Sequence, residues 1–373
     1  MSGITLRAQH AVVDGRLEHD VVVRVEDGWI VEPRGAGARV HERAITGTLL
    51  PGFVDLQVNG MGGIGFDEGD DDAFDAAAHA VRAGGAAAFL PTLITAPLDR
   101  LVERAARLAS WVRRRGPRAA ATPLGIHLEG PFLELAGAHD ATALIEPDAQ
   151  SVGRLLDACA GTLRLVTLAP GLLGAVEAVA RLRAAGVAVA FGHARSTRQF
   201  DACVDAGATL VTHLFNAMSP LHHRDPGITG LALDELRLSC CLIADGHHVH
   251  PAVLRTAWRV LGSARTILVT DAIAAAGMPD GAYSLAGLAV QSRGGVVRDA
   301  RGTLAGSALT MTEAATRFAR FVNGLAAPEL AAIAAANPAR AIGAAEFGSV
   351  STGCRAAFAV LDDAGGLHDL KLG

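Results

Sequence analysis

The chain has 373 residues, half of them hydrophobic, and its formal net charge is −5 with no block of basic residues. This length is enough for a barrel of about 250 residues with a smaller domain beside it. The hydrophobic content predicts a large packed core and argues against disorder. The charge argues against nucleic acid or an anionic membrane as a partner, so any anionic ligand must be held by a local Arg or His.

The N-terminal sequence lacks the apolar stretch of a signal peptide, and no run of apolar residues approaches the length of a membrane span. We therefore expect no membrane helix and a cytoplasmic protein. The cysteines are odd in number and do not have the spacing of a zinc site, which predicts reduced core residues. They are Cys159, Cys203, Cys240, Cys241 and Cys354.

The order of the predicted elements indicates two domains. Residues 1–50 contain short strand-like segments separated by Gly and Asp turns, and residues 345–373 look similar. We expect these two segments to form one small β-sandwich. Between them, in residues 51–344, strand and helix patterns alternate, which predicts an α/β fold with a (β/α)8 TIM-type barrel. A Gly-rich stretch at 283–303 predicts a β-hairpin insertion after the eighth strand.

Eight apolar runs are candidate barrel strands, and several of them end on polar residues. The predicted strands end near Gln57, Thr92, Glu129, Ala169, His193, His213, Asp245 and Asp271. Because a barrel of this type carries its chemistry at the carboxyl ends of its strands, we expect Glu129, His193 and His213 to converge. One glutamate and two histidines are a typical ligand set for a divalent metal. The alternative is that they cap strand ends, but a buried carboxylate beside two imidazoles is costly without a cation.

Asp271 ends the last predicted strand, TILVT, and is a candidate acid and base. It could take a proton from an attacking water and pass it to a leaving group. The alternative is that its carboxylate is an N-cap for the segment that follows.

Three further polar residues lie near these strand ends. Gln57 and Asn59 follow the first strand, where a second metal would require a His-x-His pair. Amides are poor zinc ligands, so we expect one metal per chain. His127 lies two residues before Glu129 and therefore faces the same side. It could support the metal site, but a role in the core is favoured.

Two predicted loops at the same end of the barrel carry polar side chains. The segment FNAMSPLHHRDPG offers Asn216 and Arg224, and ADGHHVHP offers His248. An Arg with a nearby His suits a phosphate monoester. The alternative is that these are solvated loop residues, and position alone does not decide between the two.

Several motifs occur together and in order: HLEGPF, GH, THLFNAMSPLHHRDPG, ADGHHVH, VTDA, AGMPDG and LAGSALTM. With PGFVDLQVNGMGG and LPTLIT, they resemble the N-acetylglucosamine-6-phosphate deacetylases of the amidohydrolase superfamily over nearly the whole chain. The resemblance implies a metal-dependent barrel with a terminal β-sandwich. It also implies hydrolysis of N-acetylglucosamine 6-phosphate to glucosamine 6-phosphate and acetate.

The resemblance also assigns roles to individual residues. Glu129, His193 and His213 match the ligands of one divalent metal, most simply Zn²⁺, with Fe²⁺, Mn²⁺ or Co²⁺ as alternatives. Asp271 matches the catalytic acid and base, and His139 matches the histidine that polarises the acetamide carbonyl. Substrate-binding positions are matched by Ala138, His139, Asn216, Ala217, Arg224, His248, Leu304, Ala305, Gly306 and Ser307, with Arg224 and His248 on the phosphate. In family members the phosphate-binding histidine can come from a neighbouring subunit, which implies a homo-oligomer, a dimer or tetramer.

The chain departs from the family pattern near His139. Ala136 stands where the family usually has Lys, and Asp140 and Ala141 replace a common Asn-Pro. Ile273 replaces a frequent Thr after Asp271. These departures bear on the identity of the sugar more than on the chemistry. The galactosamine epimer, a cyclic-amide amidohydrolase and a barrel that only binds sugar phosphate are the alternatives, the last disfavoured because all four central residues are present.

Overall fold

The computed structural model describes residues 3–32, 42–114, 120–362 and 364–370. The predicted terminal segments also include residues 1–2, 33–41, 363 and 371–373, which lie outside the described residues. Within the described part of the chain, no helix is both long and apolar enough to cross a membrane.

The strands follow one another in two groups, one at the termini and one in the centre. In chain order they are β1 (Ile4–Val13), β2 (Arg16–Glu26), β3 (Trp29–Glu32), β4 (Glu42–Pro51), β5 (Phe53–Val58), β6 (Gly60–Met61), β7 (Ile64–Gly65), β8 (Ala86–Ile94), β9 (Thr122–Pro123), β10 (Ile126–Glu129), β11 (Leu163–Leu168), β12 (Ala188–Phe191), β13 (Leu210–Val211), β14 (Ser239–Ile243), β15 (Thr266–Val269), β16 (Gly281–Leu285), β17 (Leu288–Arg293), β18 (Val296–Asp299), β19 (Phe358–Leu361) and β20 (Leu367–Asp369).

The helices lie between the central strands and after them. They are α1 (Asp71–Ala83), α2 (Leu98–Arg114), α3 (Ala149–Cys159), α4 (Ala175–Ala184), α5 (Phe200–Asp205), α6 (Gly227–Asp234), α7 (Pro251–Arg265), α8 (Met311–Phe321), α9 (Ala327–Ala331) and α10 (Asn337–Ala341), with a 3₁₀ turn at Ala141–Ala143 and a π-helical turn at Ala332–Ala336. Local capping explains several starts: Asp70 accepts from the backbone N–H of Ala73, and Thr310 forms a capping box with Glu313.

The central strands form the predicted parallel barrel. Their order is β5, β8, β10, β11, β12, β13, β14 and β15, and every neighbouring pair is parallel. The interior is filled by small and branched side chains from alternate positions, among them Val54, Leu56, Ala88 and Leu90. Such strands are buried on both faces and therefore read as continuous apolar runs in the sequence. The (β/α)8 fold predicted from these runs is confirmed.

The second sheet is built from both ends of the chain. Its strand order is β20, β19, β4, β1, β2 and β3, so β19 from the C-terminal region pairs with β4 from the N-terminal region. Its buried face packs Leu6, Val23, Leu49 and Phe358 into a separate core cluster. The predicted terminal β-domain is thus confirmed, while its boundaries at residues 50 and 345 stay predictions.

The insertion after the eighth barrel strand is a three-stranded antiparallel sheet of β16, β17 and β18. It packs Leu285, Val290 and Val297 against Ile94 and Ile273 at the carboxyl end of the barrel. The insertion therefore lies beside the end of the barrel where the predicted site residues lie.

Candidate metal centre and active site

The four polar residues predicted at strand ends meet in one cavity. Glu129 is the last residue of β10, and His193, His213 and Asp271 each lie two residues beyond β12, β13 and β15. All four are buried, and all four line a cavity of about 460 Å³. The alternating strand and helix units thus bring together residues that are far apart in the chain.

Three of these residues have unusual backbone conformations. The φ angles of His193, His213 and Asp271 are +50°, +29° and +50°. Non-glycine residues rarely adopt positive φ, and such strain is found where surrounding structure holds a functional side chain in place. The strand ends therefore turn sharply at these residues.

The Glu129 carboxylate lies at the centre of the cluster. Its Oε1 atom is 2.8 Å from His213 Nε2 and 3.3 Å from His193 Nε2. The two Nε2 atoms are themselves 3.2 Å apart. Three atoms that could each bind a metal ion therefore face one another across a space of a few ångströms.

The hydrogen bond on the other side of His193 tests whether a cation fits here. His193 Nδ1 lies 2.7 Å from the carbonyl oxygen of Leu135, so Nδ1 carries the proton and donates to that oxygen. The lone pair on Nε2 then faces the carboxylate and the second imidazole. Lone pairs and a carboxylate repel one another unless positive charge lies between them, and this arrangement is typical of metal-binding histidines.

The pKa shifts in the cluster also indicate that it would attract a cation. Burial, with repulsion from His139, lowers the pKa of His193 to about 4, which keeps the ring neutral. Burial alone would raise the pKa of Glu129, but hydrogen bonds from the three histidines outweigh burial and hold it well below its usual value. Burial would lower the pKa of His213, but the hydrogen bond and charge of Glu129 raise it. The cluster thus attracts one additional positive charge, which a proton or a metal ion can supply.

His139 also reaches the cluster. Its Nε2 atom is 3.5 Å from Glu129 Oε2, and its ring lies 4.4 Å from that of His193, centroid to centroid. The ligating atoms of Glu129, His139 and His193 lie within 4.8 Å of one another, so these three could also hold a metal. His213 is closer to Glu129 than His139 is, and the assignment of His213 as ligand and His139 as carbonyl partner stays a prediction.

Asp271 lies at the edge of the cluster and contacts Asn59, the residue that follows β5. Asn59 Nδ2 donates to Asp271 Oδ1 at 2.8 Å. This partner is a side chain across the cavity, whereas the N-cap interpretation requires a backbone N–H of the segment that follows. Burial, with repulsion from Glu129, raises the pKa of Asp271 to about 6. A carboxyl group with such a pKa can both accept and return a proton near neutral pH.

The remaining residues near the cluster have different surroundings. His127 is buried between Thr167 Oγ1, at 2.8 Å, and the carbonyl oxygen of Leu56, at 3.1 Å, and does not line the cavity. Burial lowers its pKa to about 4. These contacts fit the favoured role in the core. Gln57 is buried too, and its Nε2 atom has no hydrogen-bond partner among the described residues.

Most of the predicted substrate-binding residues line the same cavity. They are Ala138, His139, Asn216, Ala217, His248, Leu304 and Gly306. His248 Nδ1 is 2.6 Å from Asp245 Oδ2, which orients the ring. Ala305 is instead buried against the insertion, and Ser307 Oγ donates to the carbonyl oxygen of Thr270 at 2.6 Å. Arg224 is exposed and is not among the described residues that line this cavity.

The structure adds cavity residues that sequence reasoning missed. Arg298 of β18 and Leu285 of β16 line the cavity from the insertion, with Thr303, and Ile94 lines it from β8. Arg301 Nη2 donates to the carbonyl oxygen of Gly137 at 3.2 Å and so connects the insertion to the His139 loop. The sequence offered a predicted hairpin here, but no signal that it covers the cavity.

Known proteins with related sequences support this description. Residues 48–371 match the Amidohydrolase family. The chain is 38% identical to N-acetylgalactosamine-6-phosphate deacetylase from Escherichia coli O157:H7, over 97% of this chain and 96% of that one. It is 37% identical to N-acetylglucosamine-6-phosphate deacetylase from Homo sapiens, over 89% of this chain and 82% of that one.

Solved structures agree at the level of the whole chain. An N-acetyl-D-glucosamine-6-phosphate deacetylase mutant from Mycobacterium smegmatis, in complex with N-acetyl-D-glucosamine-6-phosphate, superposes with a TM-score of 0.91 at 36% identity. That comparison covers 100% of this chain and 98% of the other. The chain therefore belongs to the amidohydrolase family and, within it, to the N-acetylglucosamine-6-phosphate deacetylase family that its motifs predict.

Proposed function

We propose that this protein hydrolyses the N-acetyl group of N-acetylglucosamine 6-phosphate and releases glucosamine 6-phosphate and acetate. The observation that carries the proposal is the cavity in which Glu129, His193, His213 and Asp271 converge at the carboxyl ends of barrel strands. Relatives that match over most of the chain are named as deacetylases of N-acetylhexosamine 6-phosphates. The site and the names therefore support the same reaction class, hydrolysis of a linear amide.

One divalent metal, most simply Zn²⁺, would be held by Glu129, His193 and His213. Fe²⁺, Mn²⁺ and Co²⁺ also suit nitrogen and oxygen ligands. When bound, such an ion acts as a Lewis acid that polarises the amide carbonyl and favours ionisation of water. The neutral His193 ring and the ionised Glu129 carboxylate are already in the protonation states that ligation requires.

Asp271 and His139 carry out the proton transfers and the charge stabilisation. Asp271 takes a proton from the attacking water as the water oxygen bonds to the acetyl carbonyl carbon. His139 donates a hydrogen bond to the carbonyl oxygen, where negative charge develops. Asp271 then returns the proton to the amine nitrogen as the C–N bond breaks. The products are the amino sugar phosphate and acetic acid, which ionises to acetate.

Binding of the phosphate orients the amide at the reactive centre. Arg224 and His248 are the proposed phosphate partners, and Arg298 adds a cation at the cavity. Binding energy at a remote charged group can be used to position the reacting bond. Because Arg224 is exposed and does not line the cavity of its own chain, its proposed role requires a homo-oligomer in which Arg224 lies near the cavity of a neighbouring subunit.

We also propose a cytoplasmic location. The buried cysteines are all free, as a reducing compartment would leave them.

The galactosamine epimer is a second candidate substrate. The E. coli relative that matches 97% of this chain is named for it. The two sugars differ in the orientation of one hydroxyl group. An enzyme discriminates strongly between them only if the wrong epimer leaves a buried polar group of the protein without its hydrogen bond.

The test is acetate release from both epimeric 6-phosphates by the metal-loaded enzyme, with metal content measured on the same sample. We expect release from the gluco epimer, and a markedly weaker reaction with the unphosphorylated sugar. Absence of acetate from both phosphorylated sugars, at one metal per chain, would contradict the proposed function. A kcat/KM that favours the galacto epimer would replace the first candidate by the second.

A further inference from the structure

The barrel closes between its first and eighth strands by an unusual set of contacts. The ladder runs from β5 through the other strands to β15. Among the described residues, the backbone bridge that leads back to β5 is an isolated one, between Val58 and Ala272 in the segment after β15. At that bridge the backbone N–H groups of Asn59 and Gly60 both donate to the carbonyl oxygen of Ala272, at 2.7 and 3.2 Å. Below it, side chains connect the two strands. We call this junction the closure seam.

Asp55 is the main side chain of the closure seam. It lies in the middle of β5 and is 1% exposed. Its Oδ2 accepts from Thr270 Oγ1 at 2.5 Å, and its Oδ1 accepts from the backbone N–H groups of Thr270 and Gln57, each at 3.2 Å. The Asp55 carboxyl group, hydrogen-bonded to these three groups, thus replaces the backbone acceptors that a closed parallel ladder would provide.

The residue that Asp55 holds, Thr270, directly precedes Asp271. Thr270 Oγ1 also accepts from the N–H of Ala272 at 3.1 Å, so the Thr270 side chain spans the backbone of Asp271. Asp271 itself has the unfavourable φ of +50°. A conformation of this kind persists only when the surrounding structure imposes it. The closure seam is what imposes it from the side of the first strand.

The same seam sets the partner of Asp271. Asn59 lies four residues after Asp55 and directly follows β5, and its Nδ2 donates to Asp271 Oδ1 at 2.8 Å. The distance between Asn59 and Asp271 therefore depends on how closely the two strands are held. Asp55, through Thr270, fixes that distance from below.

We propose that Asp55 is a positioning residue for Asp271. Through Thr270, it holds β15 and the segment after it against β5, so that the Asp271 carboxylate stays directed at the reacting atoms. The inference rests on the proposed function for the role of Asp271. Because a misplacement of about 1 Å can cost on the order of 10²-fold in rate, loss of the seam should lower turnover without removing any group that contacts substrate.

An asparagine at position 55 separates the hydrogen bonds of Asp55 from its charge. A buried carboxylate is seldom the most stabilising choice for a core position, and burial raises the pKa of Asp55 to about 7. An asparagine at this position can keep the geometry: its Oδ1 accepts the two N–H groups, and its Nδ2 donates to Thr270 Oγ1. The Thr270 hydroxyl can then turn to the carbonyl oxygen of Gln57, 3.3 Å away. Asparagine should therefore rescue positioning, whereas alanine should not.

The experiment compares Asp55→Ala with Asp55→Asn, and Thr270→Val with Thr270→Ser, in the metal-loaded full-length enzyme. We expect Asp55→Ala and Thr270→Val to lower kcat by about 10–100-fold, with KM changed less than about threefold and one metal retained. The two conservative variants should stay within about threefold of the wild type. Asn337→Ala is the matched control, because Asn337 is buried and bonds the carbonyl oxygen of Thr266 at the opposite end of β15. It should lower Tm and leave kcat unchanged.

Several results would overturn the proposal. The first is an Asp55→Ala enzyme with normal kcat, and the second is an Asp55→Asn enzyme as impaired as Asp55→Ala. The third is a loss of kcat in Asn337→Ala that is as large, for the same loss of Tm, as in the variants of Asp55 and Thr270. If Asp55→Ala does not fold, the Thr270 pair decides by the same criteria.

A structural measurement separates this proposal from the proposed function. In a crystal structure of metal-loaded Thr270→Val, we expect the Asn59 to Asp271 side-chain distance to exceed hydrogen-bond length, whereas Thr270→Ser should keep it near 2.8 Å. This distance needs no substrate, so it tests the seam even if the wild type releases no acetate. An unchanged distance in Thr270→Val would contradict the positioning role.

Discussion

At the scale of single residues, the proposed chemistry depends most on Asp271. Its carboxylate is buried, contacts Asn59, and has a pKa raised to about 6 by burial and by repulsion from Glu129. Asp271→Asn keeps the shape and the size of the side chain but cannot accept a proton. We expect turnover to fall by about 10²–10⁴-fold, the usual contribution of general acid and base catalysis. Substrate affinity should change little, as measured by binding of N-acetylglucosamine 6-phosphate to the slow variant.

The metal content of Asp271→Asn distinguishes a proton carrier from a ligand. The variant should retain one equivalent of metal, measured by elemental analysis. Normal turnover in the metal-loaded variant would contradict the mechanism, and loss of metal would make Asp271 a ligand.

Arg298 is the cationic side chain that the insertion contributes to the cavity. If it faces the phosphate, Arg298→Ala should raise KM for the phosphorylated substrate by about 10-fold or more, in line with about 1.5–3 kcal/mol for a hydrogen bond to a charged group. The unphosphorylated sugar should be affected far less. Arg293→Ala is the control, because Arg293 lies exposed on the same insertion and does not line the cavity. An equal loss on both substrates would show that Arg298 supports the insertion and does not read the phosphate.

At the scale of elements, the segment after the insertion is shaped by Gly306. Its φ is +64°, and a Cβ atom there would lie 2.5 Å from Ile273 Cγ2 and 2.9 Å from the carbonyl oxygen of Asp271. Gly306→Ala must therefore push the backbone at Asp271, and we expect both a lower Tm and a lower kcat. Gly302→Ala is the control that separates backbone strain from the steric clash of the added Cβ atom. Gly302 also has a positive φ, +83°, but the space around it is open.

The control variant at Gly302 should lose only the conformational cost of positive φ, about 1 kcal/mol, with normal kcat. Thermal melting and steady-state kinetics on both proteins check this. Equal effects of the two substitutions on kcat would show that the close approach at Gly306 does not matter for Asp271.

The sequence predicts elements best where burial is uniform. All nine residues of Ala86–Ile94 and all four of Ile126–Glu129 are buried, so these strands appear as apolar runs, and the second of them ends on Glu129. The strand order and the convergence of Glu129, His193 and His213 follow from the rules of parallel barrels. Residue types and spacing therefore predict the convergence that the structure shows, while the role of these residues as metal ligands stays a prediction.

Contacts between elements that are distant in the chain were not predictable in the same way. Arg298 reaches the cavity only because the insertion folds back over the barrel, and no local pattern encodes that direction. Asp55 looks like one polar residue in a strand, and its contact with Thr270 spans 215 positions. Ser307 matches a substrate-binding position, and its hydroxyl donates to the carbonyl oxygen of Thr270, a contact that the sequence does not reveal. Such roles depend on tertiary geometry that one sequence does not reveal.

At the scale of the whole molecule, the closure seam makes stability depend on pH. The pKa of Asp55 is about 7 in the folded protein, against an ordinary value of 3.8, because burial disfavours the charge. Between these values the folded state holds a proton that the unfolded state has released, so stability falls as pH rises and the loss is complete above about 7. The effect is at most about 4 kcal/mol.

Asp55→Asn removes this titration and should therefore gain stability relative to the wild type as pH rises. We expect the difference in Tm between the two proteins to grow in favour of Asp55→Asn from about pH 5 to about pH 8. Asn337→Ala, which changes no charge, should show a difference from the wild type that does not vary with pH. A constant offset for Asp55→Asn as well would show that Asp55 does not titrate in this range.

The metal should connect the barrel strands into one stable unit. Glu129, His193 and His213 come from three strands, so an ion held by all three binds the folded chain and not the unfolded one. Chelation should abolish acetate release and lower Tm, since a ligand at about a thousand times its Kd contributes about 4 kcal/mol. One equivalent of Zn²⁺ should restore both. Two equivalents per chain in unchelated protein would contradict a single site.

Variants of the two candidate third ligands decide which histidine binds the ion. If His213 is the ligand, His213→Ala should lose metal and show little further change in Tm on chelation. His139→Ala should then keep its metal, keep the wild-type response to chelation, and lose kcat alone. The reverse pattern would assign the ion to Glu129, His139 and His193, whose ligating atoms also lie within 4.8 Å of one another. Because Tm and metal content are measured without substrate, this assignment stands whichever sugar phosphate the enzyme prefers.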